Sequence, residues 1–196
     1  LLSSILLLGG SLFLGDKQAK TPKREEERGK EVILLLAGDI MLDRGVEFYI
    51  KQNGGDWRFP FLKIADFLRK ADLVFGNLES VISDKGENLG SIYSFRADPK
   101  TLEGLTFAGF DVLSVANNHS MDYGIEAFLD SLQRLKKTGL SYVGGGTNKE
   151  SARTPLIKEI KGIKIGFLGY TNLGSPLWQA TDKTPGIAWV DENTIP

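Results

Sequence analysis

His119 is the only histidine in the chain, and it sits in the run Ala116-Asn117-Asn118-His119-Ser120-Met121-Asp122-Tyr123-Gly124. An apolar segment, residues 110–115, leads into this run, and a stretch with helical spacing follows it. Imidazoles titrate near neutral pH, so such a group can bind a metal when neutral or hand a proton to a leaving atom when charged. The arrangement occurs twice more. Residues 32–37 run into Gly38-Asp39-Ile40-Met41-Leu42-Asp43-Arg44, and residues 73–75 run into Gly76-Asn77-Leu78-Glu79-Ser80. Strand-like segments thus end at Asp39, at Asn77 with Glu79, and at Asn117, Asn118 and His119, all side chains of the metal-ligand or proton-transfer type.

Each of these residues also has a structural reading. Gly-Asp is common turn chemistry, so Asp39 can be a turn or helix cap, and Glu79 can be a solvated loop carboxylate. Asp122 either orients the His119 ring or caps the helix that follows. A carboxylate directly after an apolar run must be hydrogen-bonded, solvated or metal-bound, because an unpaired buried charge is costly. Recurrence at successive strand ends favours a shared site. Arg44 can hold an anionic substrate through its planar fork or form a surface ion pair with Asp43 or Glu47. Gly144-Gly145-Gly146 lacks the Walker spacing and reads as permissive turn geometry. No G-x-S-x-G elbow, dinucleotide fingerprint or H-E-x-x-H motif occurs, which argues against serine hydrolase, Rossmann and zincin chemistry.

The elements that must position these residues alternate. A continuous apolar run over 32–37 predicts a strand buried on both faces of a parallel sheet. Phe61, Ile64, Ala65 and Leu68 predict a helix up to Lys70, and residues 73–75 a second strand. A helix is predicted around 99–108 and a strand over 111–115. Ile125, Phe128, Leu129, Leu132 and Leu135 then form one helical face that stops at Gly139. A short strand over 141–143 follows, and residues 156–160 and 163–168 flank Lys161-Gly162 as a β-hairpin. The expected fold is α/β, a mostly parallel core sheet with flanking helices and the later hairpin. In open sheets of this kind, ligands bind beyond the carboxyl ends of the strands, where these residues lie.

Of the 196 residues, 24 are basic and 25 acidic, so no positive excess points to nucleic acid, and without cysteine any metal must be held by oxygen and imidazole. Residues 1–15 are uncharged and mostly apolar. As a helix they would span about 22 Å, short of the roughly 30 Å hydrocarbon core. They are expected to be a signal-peptide core or part of a membrane anchor, followed by a polar linker over 16–30.

Taken together, GDIMLDR at 38–44, GNLES at 76–80, ANNHSMDYG at 116–124, GGGTN at 144–148 and KIGFLGYT at 164–171 resemble the bacterial CapA family of capsule-synthesis proteins. The resemblance runs from Glu31 to the end of the chain. It implies a fold related to the calcineurin-like metallophosphoesterases, incomplete here at its C-terminal end. It further implies that Asp39 is a first-metal ligand, that Glu79 stands where a bridging carboxylate is used, that Asn118 is a second-metal ligand and that His119 is the proton donor, with Asn77, Asn117 and Asp122 in support. Manganese, magnesium, iron or zinc would be the ions. The histidine-bearing motifs that complete such a centre are absent here, so metal binding by this fragment is expected to be weak or nil.

The expected function is synthesis, anchoring or export of an anionic polymer such as poly-γ-glutamate, by a protein exported or membrane-anchored at the extracytoplasmic face. Other capsule-synthesis proteins are its expected partners. The chemistry would be metal-assisted hydrolysis or transfer. The alternative is a non-catalytic polymer-binding or assembly subunit that uses Arg44 and the strand-end groove to hold carboxylates.

Overall fold

The computed structural model describes residues 31–190; the expected leader or anchor (1–15) and linker (16–30) lie outside the described residues. In chain order the elements are β1 (Leu34–Ile40), α1 (Gly45–Gln52), a 3-10 turn (Phe59–Phe61), α2 (Ala65–Leu68), β2 (Leu73–Leu78), β3 (Val81–Ile82) and β4 (Arg96–Ala97). Then come α3 (Thr101–Ala108), β5 (Val112–Ser114), α4 (Gly124–Lys137), β6 (Ser141–Val143), β7 (Gly145–Gly146), α5 (Lys149–Arg153), β8 (Leu156–Ile160), β9 (Ile163–Phe167), a 3-10 turn (Pro176–Trp178) and β10 (Gly186–Ile187).

Strands β1, β2, β5 and β6 form the core sheet in the order β1-β2-β5-β6, and every pairing is parallel. Helices cover one face. Leu102 and Leu105 of α3 and Phe128, Leu132 and Leu135 of α4 are buried in one cluster with Val74, Leu78, Leu113 and Val115. Each such side chain contributes about 1.5–3 kcal/mol by leaving water. The opposite face is covered by the antiparallel hairpin β8–β9, with Phe167 packed among Leu73, Val112 and Val143. This is a mixed α/β arrangement around a parallel sheet, consistent with a phosphoesterase-like fold.

Strand β1 departs from the sequence expectation. It is the sheet's edge, paired with β2 alone in the core sheet, and Leu36 is 70% exposed. Apolar composition was read as two-sided burial, but an edge strand with one neighbour keeps that composition while facing solvent. The helix predicted through Phe61 to Lys70 is broken into the 3-10 turn and the four-residue α2. Helix α1 has no counterpart among the elements predicted from the sequence. In α4, Ile125 is half exposed while Phe128, Leu132 and Leu135 are buried. The hairpin turn has positive φ at both Lys161 and Gly162, the combination that matches the twist of two antiparallel strands.

Candidate functional site

β1 and β2 do not stop where their apolar runs stop. They continue through Gly38-Asp39-Ile40 and Gly76-Asn77-Leu78, so Asp39 and Asn77 are strand residues. Between Leu36 and Asp39 the register slips by a bulge: Leu36 pairs with Phe75 and Asp39 with Asn77. One extra residue in β1 reverses the alternation of side chains and puts Asp39 on the face of Asn77. Ser114 of β5 is the next in line across the sheet.

The Asn77 side-chain amide donates to Asp39 Oδ1 at 2.8 Å and to Glu79 Oε2. Its carbonyl oxygen accepts from Asn117 Nδ2 at 3.0 Å. Asn117 is buried and fully used: Nδ2 also donates to the Leu78 carbonyl at 2.8 Å, while Oδ1 accepts from the His119 backbone N–H at 2.9 Å and from Ser120 Oγ at 3.1 Å. The Ser120 hydroxyl also bonds the Val115 carbonyl. Asn77 and Asn117 thereby tie three strand ends into one network. Asp39, Asn77, Glu79, Asn117 and Asn118 line one cavity of about 410 Å³.

His119 lines a larger cavity of about 630 Å³, which shares Asn118 and Leu173 with this one. Its Nδ1 bonds Asp122 Oδ2 at 2.7 Å, and its Nε2 lies 3.9 Å from Glu79 Oε1. Asp122 Oδ2 also accepts the Phe95 N–H at 2.8 Å, and the Phe95 ring lies 4.1 Å from the imidazole, centre to centre. Of the two readings left open for Asp122, the cap is excluded: Tyr123 begins α4 without any side-chain cap bond. A carboxylate at Nδ1 orients the ring and, in the neutral imidazole, favours the proton on Nδ1, with Nε2 directed toward Glu79.

Burial pushes the Glu79 carboxyl above its ordinary range, and the neighbouring Asp39 charge adds to this; bonds from Asn77 and the proximity of His119 oppose it. Burial likewise raises Asp122, against the bonds from His119 and Phe95. A carboxyl raised by desolvation beside an oriented imidazole is a proton-transfer arrangement.

Arg44 pairs with neither Asp43 nor Glu47 through its side chain. Asp43 accepts its backbone N–H, Glu47 bonds Lys51, and the guanidinium lies over Tyr93 and Phe95 at 5.9 and 5.7 Å. Metal is less well provided for. Among the described residues no three acidic or imidazole side chains converge to hold an ion, and an Asn77 N–H already lies between the Asp39 and Glu79 carboxylates. The donors present do not by themselves make a complete metal site. The glycine run is a packing device: a Cβ on Gly145 would lie 2.7 Å from Val115 Cγ2 and 2.8 Å from Phe128 Cζ.

Tyr93, Phe95, Leu173 and Trp178 line the larger cavity and were not picked out from the sequence. The aromatic run Ser91-Ile92-Tyr93-Ser94-Phe95 in an otherwise polar loop was the available signal.

Comparison with known proteins decides the family. The model for "Bacterial capsule synthesis protein PGA_cap" matches residues 33–194. The chain belongs to the PGA_cap family. Capsule biosynthesis protein CapA of Bacillus anthracis is 30% identical over 185 residues, 92% of this chain and 44% of that protein. PGA biosynthesis protein CapA of Bacillus subtilis (strain 168) is 29% identical over 182 residues, 91% of this chain and 47% of that protein. A probable polyglutamine synthesis accessory protein of Mycobacterium tuberculosis is 27% identical over 192 residues, 80% of this chain and 50% of that protein. The chain thus spans about half the length of the curated relatives it matches. The residues matched by the PGA_cap model include Asp39, Asn77, Glu79 and the Asn117–His119 run. Among the described residues no helix is long and apolar enough to cross a membrane.

Proposed function

We propose that this chain takes part in the synthesis, anchoring or export of an anionic, amide-linked capsule polymer of the poly-γ-glutamate type, and that His119 transfers protons at a bond of that polymer. The observation that carries the chemistry is the line Asp122–His119–Glu79, with 2.7 Å on one side of the imidazole and 3.9 Å on the other. The polymer class is supported by the relatives named for capsule and PGA biosynthesis.

In this reading Asp122 keeps the ring in one tautomer, and a reacting atom sits beside the Nε2–Glu79 pair, within reach of both groups. Nε2 takes the proton of an attacking water, in hydrolysis, or of an attacking polymer amine, in transfer. As the amide C–N bond breaks, the same proton passes to the leaving nitrogen. Asn118 lines both cavities, and in this reading it orients the amide. The apolar composition of residues 1–15 supports export or membrane attachment at the extracytoplasmic face, beside other capsule-synthesis proteins.

The test is chain length. Poly-γ-glutamate is incubated with the purified chain and with His119→Ala and Asp39→Asn, and its size distribution is followed by gel filtration. Turnover by the wild type that is lost in His119→Ala supports proton transfer. A folded wild type that binds the polymer and leaves its length unchanged would replace catalysis with a carrying or assembly role.

A further inference from the structure

The larger cavity beside His119 is unaccounted for by proton transfer alone. Its wall is built from two loops, with Tyr93 and Phe95 on one and Leu173 and Trp178 on the other. The first loop is fastened at several points. Phe95 N–H donates to Asp122, Arg96 N–H donates to Asp43 Oδ2 at 2.8 Å, and the Arg96 guanidinium donates to the Lys85 and Gly86 carbonyls while stacking on Tyr123 at 4.3 Å. The second loop is seated by Gly174, whose φ of 94° is open to glycine and whose missing Cβ leaves room for the Trp178 ring and for Asn118 Cα. These walls are held in place before any ligand arrives.

The chemistry of the wall is mixed in an informative way. Aromatic faces and leucines suit methylene stems and flat amide groups. Against Tyr93 and Phe95, outside the cavity's own lining, lies the Arg44 guanidinium, a cation for which no carboxylate partner occurs among the described residues. Its backbone has a φ of 54°, unusual for a side-chain-bearing residue. A ligand that fits has amide planes and short methylene stems for the rings, and carboxylates for the arginine.

We infer that this cavity, walled by Tyr93, Phe95, Leu173 and Trp178, is a binding subsite for a carboxylate-bearing, amide-linked chain, with Arg44 taking a carboxylate at its aromatic wall. The inference rests on the polymer class proposed above and adds where the chain lies: on the Asp122 side of His119, so that the bond next to the bound segment meets Nε2.

The experiment is calorimetric titration of the whole chain with a γ-linked glutamate pentamer, for wild type, Arg44→Gln, Tyr93→Ser and Trp178→Ala. Tyr93 is 61% exposed and Arg44 is exposed, so those two variants keep their unfolding midpoints even where Trp178→Ala does not. Binding weakened about tenfold or more in Arg44→Gln and Tyr93→Ser is expected. A pentamer with its carboxylates amidated should lose the dependence on Arg44 and keep that on Tyr93. Equal binding by wild type and both surface variants, or no binding by the wild type, overturns the subsite. If polymer turnover is still abolished by His119→Ala, that failure leaves the proton-transfer reading standing. If the variants lose the pentamer while His119→Ala turns polymer over at the wild-type rate, the subsite stands and the proton-transfer reading falls.

Discussion

The Asp122 carboxylate holds two groups with one oxygen: Oδ2 lies 2.7 Å from His119 Nδ1 and accepts the Phe95 N–H at 2.8 Å. The ring proposed to transfer protons and the loop that walls the neighbouring cavity are thus fixed to the same atom. Replacement by asparagine keeps one acceptor oxygen but removes the charge that sets the imidazole tautomer. Asp122→Asn is expected to lower polymer turnover by roughly 10²–10⁴-fold, with a smaller effect on the unfolding midpoint; initial rates and a thermal melt measure both.

Glu79 gives a pH prediction of definite sign. Burial first, and then Asp39, raise its folded carboxyl above the ordinary 4.5, so the folded state binds its proton more tightly than the unfolded chain. Stability therefore falls as pH rises from that ordinary value through the raised one. Glu79→Gln, which can still accept from Asn77, should melt above wild type at neutral pH. Calorimetry across pH should show that advantage shrinking as the solution is acidified toward 4.5.

Asn117 is the buried joint between strand ends, and all its bonds are internal. Asn117→Ala leaves the Leu78 carbonyl and the His119 N–H without their partner, at a cost of about 1–3 kcal/mol for each buried group orphaned. Denaturant unfolding should register the loss. Asn117→Asp should cost more, because its carboxylate would face the Leu78 carbonyl and the Asn77 oxygen.

At Gly145, an added methyl would press on Val115 and Phe128 in the packed core. Gly145→Ala is expected to destabilise by about 1–3 kcal/mol without changing the affinity for polymer. A loss of polymer binding with unchanged stability would make the glycine run a ligand loop instead of a packing device.

Manganese titrated into the purified chain should bind no tighter than about 1 mM. The described carboxylate pair is already bridged by an amide N–H, and too few anionic donors surround it. Stoichiometric binding at micromolar concentration, read by calorimetry, would show a donor set that the present geometry lacks.

The sequence was most legible where local chemistry and fold agree. The strand-to-loop transition before His119, the helix ending at Gly139, and the hairpin about Lys161-Gly162 each have a local cause, whereas β1 and β2 run on through Asp39 and Asn77. The convergence of Asp39 with Asn77 was legible only as an assumption, because Gly38, which lies in the bulge that turns Asp39 onto the right face, reads equally as turn chemistry. Exposure of β1 was hidden because an apolar run does not say how many neighbours its strand has. The aromatic wall was hidden for a similar reason: Tyr93, Phe95 and Trp178 meet only through loops fastened by side-chain bonds, and loop closure leaves no periodic trace.

A chain with one histidine offers a direct reading of the central claim that the imidazole of His119 acts on bound polymer. Nitrogen-15 NMR of the labelled protein should show one imidazole, with Nδ1 carrying the proton shared with Asp122 and Nε2 shifting when poly-γ-glutamate is added to saturation at fixed pH. An Nε2 resonance that stays in place while the polymer is demonstrably bound would contradict it.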